Sequence, residues 1–361
     1  MNIIFKMAVA FICAGVAFGP AKAQARFDSA KAKLFQDALI TTANEFIVPG
    51  YQAWAVAAAA MKRDLQASCS GGLTIDDAQT RFEETFLAWQ RISIIQYGPI
   101  ADGKGLWRAQ IWPDPKGFSK RAIRTALAKQ DAQLLQQSAL EKQSVALVNL
   151  TALEELLYAD LKPNTYACDL SVAIASYQAN LSAKVAAEWV QSPFRTAFDT
   201  AAKGNERYPN IETLMREVLA GAVVYTDRLR KFKLQRGLGA SSGQARPERS
   251  EARKSGLGLK SIETSFRALK DFYDVPYGFF DVTPDAGGSM EFFALGETAA
   301  SISDTLAVES RTLEAILNED GAMAAELRRF AELTLYHEAY LKAGLLASLG
   351  LTAGFTSADG D

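Results

Sequence analysis

Ser144-Val145-Ala146-Leu147-Val148-Asn149-Leu150-Thr151-Ala152-Leu153-Glu154-Glu155-Leu156-Leu157-Tyr158-Ala159 is apolar on nearly every side when wound as a helix. Such a segment belongs inside a protein, since an amphipathic surface helix keeps one polar face. After Ser144 its polar residues are Asn149, Thr151, Glu154, Glu155 and Tyr158. At helical spacing Leu147, Thr151, Glu154 and Tyr158 share one stripe, and Glu155 points elsewhere. An ionised carboxylate in that setting costs several kcal/mol unless it is paired or coordinated. Glu154 therefore needs a partner: a salt bridge that only fixes the helix, a ligand, or a proton.

Helical spacing extends outward from this run in both directions, and no stretch alternates as a half-buried strand does. The expectation is an all-α chain of two tandem helical bundles. Its helices are placed at 28–47, 51–67, 74–97, 120–127, 140–161, 170–191, 211–234, 257–273, 290–317 and 322–349. Pro49-Gly50, Gly71-Gly72, Pro163-Asn164, Pro193 and Gly321 fall where the periodicity stops. Thr74 with Asp77 three residues on resembles a capping box.

Two stretches interrupt this pattern. Residues 98–117 hold Trp107, Trp112, Pro113 and Pro115 and read as an ordered loop, its tryptophans either packing the loop or offering a stacking surface. Residues 235–256 are rich in Gly and Ser, carry five Arg or Lys against two Glu, and read as a mobile, basic connection. Within it Arg246, Arg249, Arg253 and Lys254 form either a solvated face or a clamp for an acidic partner or anionic ligand. The division between an N-terminal domain, 24–205, and a C-terminal domain, 206–361, is placed near Gly204 to Pro209, with the basic connection as the other choice.

The start of the chain has Lys6, an apolar core from Met7 to Gly19, and Ala21-Lys22-Ala23, the arrangement of a secretory signal peptide over residues 1–23. Bulky Phe11 and Ile12 before Cys13 argue against a lipoprotein. Removing this segment leaves 37 basic and 41 acidic residues, a net charge of −4 that argues against a nucleic-acid partner. The expected location is the periplasm or cell envelope, soluble after cleavage and without a transmembrane segment in the mature chain. Cys69 and Cys168 are then the two remaining cysteines, and an even pair in an exported protein reads first as a disulfide.

Asn149-Leu150-Thr151-Ala152-Leu153-Glu154 followed by Leu156, Leu157 and Tyr158 resembles the signature of the imelysin-like family. There, a glycine, any residue, a histidine, two more residues and a glutamate open a run ending in two leucines and an aromatic. Residues 106–117 and the C-terminal stretch from Gly350 to Phe355 and Asp359 to Asp361 also resemble that family. The resemblance implies an all-helical, two-domain envelope protein, associated with bacterial iron uptake and named for a proposed peptidase activity. Here the glycine position is Asn149 and the histidine position is Thr151, and a threonine hydroxyl is a poor ligand for a transition metal.

The candidate ligand-binding residues are Asn149, Thr151, Glu154, Arg108, Asp114 and Lys116, with Arg108 expected to pair with Glu154 because arginine suits a carboxylate. Glu154 is the candidate metal residue, no catalytic residue is named, and the cofactor, if any, is a weakly held divalent metal such as iron or zinc. His337 is the single histidine, so a site with two imidazoles on one chain is excluded, and a packing role is expected for it. The functional expectation is a non-catalytic binding or accessory component of envelope iron uptake, with an outer-membrane or iron-uptake partner. A metallopeptidase and a scaffold with a degenerate site are the alternatives.

Overall fold

The computed structural model describes residues 27–283 and 289–351, so the expected signal peptide and the C-terminal residues 352–361 lie outside it. Among the described residues every regular element is helical. Two helices open the described part of the chain, α1 (Ser29–Thr42) and α2 (Val48–Cys69), joined without a break by a π-helical stretch, Ala43–Ile47. Pro49 therefore does not end the helix as expected. A proline lacks an N–H and its ring collides with the carbonyl one turn back, and the wider π turn just ahead of Pro49 lets the chain pass it.

The helix α3 (Ile75–Ile92) starts at the expected capping box. The Thr74 hydroxyl accepts from the Asp77 N–H, and the Asp77 carboxylate accepts from the Thr74 N–H. Short helices follow: α4 (Gly105–Ala109), α5 (Phe118–Lys129), α6 (Gln137–Leu140), α7 (Val145–Val148) and α8 (Leu150–Leu157). The apolar run quoted above is thus two helices where one was expected. Asn149 sits between them in extended conformation, and its side-chain oxygen caps α8 by accepting from the Ala152 N–H, 3.1 Å away. Asparagine competes well for backbone groups, which suits it to a cap and not to a helix interior.

The long α9 (Tyr166–Val190) lies along α2, which packs on its other side against α3. Their shared interior is aromatic: Tyr51 stacks on Trp189, and the rings of Trp54 and Trp89 are 4.8 Å apart. Cys69 and Cys168 form a disulfide that ties the end of α2 to the start of α9, with Cα atoms 5.5 Å apart and a sequence separation of 99.

After α10 (Pro193–Asp199) comes α11 (Ile211–Arg228), which runs on through a second π stretch, Leu229–Gln235, into α12 (Arg236–Leu238). The remaining helices are α13 (Gly258–Tyr273), α14 (Ser289–Ala307), α15 (Leu313–Glu319), α16 (Ala322–Ala339) and α17 (Leu346–Ser348). Leu259, Ile262, Phe266, Leu269 and Phe272 form the buried stripe of α13, which packs against α14 and also against α3. That double contact makes the hydrophobic core one contiguous cluster from Phe35 to Leu351. No helix among the described residues is long and apolar enough to cross a membrane.

The stretch expected to be a mobile basic connection is different in its second half. Ser250, Glu251 and Ala252 are buried, with Glu251 only 3 % exposed. Charge counting along the sequence hid this, because the one acid that anchors the segment sits among its five cations.

Candidate functional site

The signature helix α8 is held from two directions. On one side the Thr151 hydroxyl donates to the carbonyl of Ile111, 3.0 Å away in the Trp-rich loop. On the other, Glu154 reaches the connection, where Oε1 accepts from the Ser255 N–H at 2.8 Å and the Ser255 hydroxyl at 2.7 Å. Beside it Glu155 pairs with Lys254 at 2.8 Å. Burial pushes the Glu154 carboxyl above its usual range, the two Ser255 bonds pull it back, and the charges of Glu155 and Glu251 push it further up.

The expected Arg108 to Glu154 pair does not form. At the end of α4 Arg108 turns toward α9, donating to the Tyr177 hydroxyl at 2.8 Å and to the carbonyls of Gly103 and Glu141. Asp114 is spent on the start of α5, accepting from the N–H groups of Phe118 and Ser119. Lys116 offers its carbonyl to Arg121. Asn149, fully buried, caps α8 and donates to Val145 and Ser119. Of the six expected residues, Thr151 and Glu154 thus share a helix but face different partners.

These donors do not fit a transition metal. The Thr151 hydroxyl is committed to a carbonyl, two protons already point at one Glu154 oxygen, and His337 lies on α16 with its Nε2 2.8 Å from the Tyr273 hydroxyl. Burial lowers the His337 pKa to about 3, so it is neutral and packs as expected. Among the described residues no group of three or more His, Cys, Asp or Glu side chains is placed to hold a metal ion.

A second buried acid, Glu251, is built differently. The π stretch after α11 turns Lys233 inward, where its ammonium donates to Glu251 Oε2 at 2.8 Å, to Ser261 on α13 and to Gln90 on α3. Gln110 donates to the other Glu251 oxygen at 2.8 Å, and its own carbonyl accepts from the side chains of Trp89 and Gln90. Both members of the pair are less than a tenth exposed. Burial lowers the Lys233 pKa, and the adjacent carboxylate opposes that shift.

Above this centre opens a cavity of about 360 Å³, in the range that takes small ligands. Its walls include Trp107 and Trp112 of the Trp-rich loop, Tyr225, Phe232 and Arg228. Arg228 lies 5.6 Å over the Trp107 ring and donates to the Trp112 carbonyl at 2.7 Å. Lys233, Glu251 and Gln90 carry no motif that singles them out in the sequence. A lysine beside the apolar Leu229 and Leu234, eighteen residues before Glu251, itself one of two acids in a basic segment, is the available signal.

The sequence matches the Imelysin family (Peptidase_M75) over residues 47–337. Among curated proteins no match is found. The fold resembles the crystal structure of an imelysin-like protein from Psychrobacter arcticum 273-4, with a TM-score of 0.73 and 16 % identity, over 90 % of this chain and 98 % of that one. It also resembles a structure named as an iron-regulated protein A precursor from Parabacteroides distasonis ATCC 8503, with a TM-score of 0.70 and 12 % identity, over 90 % and 96 % of the two chains. At such identities the structures speak for the fold, and the family match spans most of the sequence. The chain belongs to the imelysin family.

Proposed function

We propose that the chain is an exported, non-catalytic binding or accessory component of iron acquisition in the bacterial envelope. The observation that carries this reading is the state of the signature helix: Thr151 stands at the histidine position with its hydroxyl given to Ile111, and Glu154 is held by Ser255. Hydrolysis by a metallopeptidase needs a held metal with an open position and a base. This helix instead joins the Trp-rich loop to the connection, and the cleft above Lys233 and Glu251 is left as the place for a ligand. The six residues first proposed for binding then act as its frame, and a division of the chain at 205/206 sets the frame and the π stretch of Lys233 in different halves. One structural neighbour's name refers to iron regulation, which supports the choice of pathway.

The test is growth of a deletion strain of the host under iron limitation. A defect that appears only when iron is scarce, and that is restored equally by the wild type and by Glu154→Gln, is the expected result. Normal growth of the deletion strain, or failure of a folded Glu154→Gln protein to restore it, overturns the proposal.

A further inference from the structure

The basic run that stood out in the sequence divides in two. Arg253 pairs with Glu314 and Lys254 with Glu155, both at under 3 Å, so these charges are neutralised on the surface. Arg246 and Arg249 have no carboxylate partner among the described residues, and both line a groove of about 810 Å³ separate from the cleft over Lys233. Arg236 and Arg328 enter the same groove from α12 and α16. Arg328 is paired with Asp320, and Lys231 at the rim is paired with Asp227. Three guanidinium groups therefore face one lining carboxylate, Glu332.

Two further observations describe how the groove's arginines are held. The Nε atoms of Arg236 and Arg328 are both buried with no hydrogen-bond partner among the described residues. A buried donor left unsatisfied typically costs about 1 to 3 kcal/mol. The wall that carries Arg246 is also held in place: Gly239 has φ of +70°, a Cβ there would lie 2.2 Å from the Gln244 carbonyl, and the Arg246 N–H donates to the Gly237 carbonyl at 2.7 Å. A planar guanidinium offers paired donors that match carboxylate and phosphate oxygens.

We propose that this groove binds a small molecule carrying several carboxylate or phosphate groups. Arg236, Arg246 and Arg249 supply the charge, and Arg328, already balanced by Asp320, adds a donor. The groove's size suits a small molecule better than the broad flat face of a protein interface. Nothing in this requires the iron role, so either proposal can fail alone.

The experiment is calorimetric titration of the disulfide-intact protein with citrate and with tripolyphosphate, using acetate as the single-charge control. Arg246→Gln/Arg249→Gln removes two exposed cations from the groove, and Lys33→Gln/Lys184→Gln removes the same charge from α1 and α9. The expected result is binding of at least one multivalent probe, no binding of acetate, a loss of about tenfold or more in the groove variant, and less than about twofold in the control. No multivalent binding by the folded wild type overturns the proposal, as does an equal loss in both variants, which marks a general effect of net charge. Tighter binding of an octaglutamate peptide than of either small probe, lost in the groove variant, overturns the ligand class in favour of an acidic protein partner.

Discussion

Glu154 and Glu251 are both buried carboxylates near the same connection, yet they are held by opposite means. Glu154 has one partner residue, Ser255, which gives two neutral donors and no charge. Glu251 has a lysine ammonium, a serine hydroxyl and a glutamine amide drawn from the π stretch, α13 and the Trp-rich loop. The first lies in the recognisable motif and the second in a segment that reads as a loose linker. The helix that carries Thr151 and Glu154 serves the fold, while the buried charged pair of Lys233 and Glu251 is gathered where no motif points.

The comparison predicts its largest effect at the charged pair. Lys233→Met or Glu251→Gln strands the other charge in the interior and should each cost about 3 to 5 kcal/mol in urea unfolding. The double variant Lys233→Met/Glu251→Gln should recover much of that loss, because no unpaired charge remains. Single variants as stable as the wild type would erase the distinction between the two acids.

The disulfide comes next, since it braces the α2 and α9 frame on which α8 rests. Chain entropy for a closed loop of about 100 residues sets an upper figure near 4.7 kcal/mol, and measured gains are often smaller. Cys69→Ala/Cys168→Ala should therefore lower unfolding stability by roughly 2 to 4 kcal/mol. The same double variant should leave the coupling between Lys233 and Glu251 unchanged, and a changed coupling would show that the two regions are not independent.

Much of this was legible in the sequence, and the exceptions have definite causes. The all-helical class, the Thr74 cap, the cysteine pair and the packing role of His337 follow from local chemistry, and each is present in the structure. Pro49 reads as a stop because proline breaks an α-helix, and a π turn accommodates it. Arg108 misled because nearness along the chain says nothing about which face of a short helix a side chain leaves from. Lys233 and Glu251 are hidden for a third reason: their pairing depends on a π-helical stretch, wound more loosely than an α-helix, that no periodicity announces.

At Glu154 the expected effect is small and depends on pH. Its folded pKa is raised from 4.5, so the contribution of this group is fully present below pH 4.5 and is lost as pH rises through the folded value. Glu154→Gln keeps an oxygen for both Ser255 bonds and has no charge to bury. It should shift unfolding by less than about 1 kcal/mol at pH 7, and it should flatten the decline in stability above pH 4.5. Thr151→Val removes a single hydrogen bond to the Ile111 carbonyl and should cost about 1 kcal/mol by the same urea titration. A loss several times larger would mean that Thr151 holds more than the loop.

The central claim, that the signature helix is a structural joint and not a metal site, is tested most directly by equilibrium titration of the disulfide-intact protein with zinc and ferrous iron. The account predicts no stoichiometric tight binding at Glu154, and the same isotherm for the wild type and Glu154→Gln within about twofold. Tight one-to-one binding by the wild type that disappears in Glu154→Gln contradicts it.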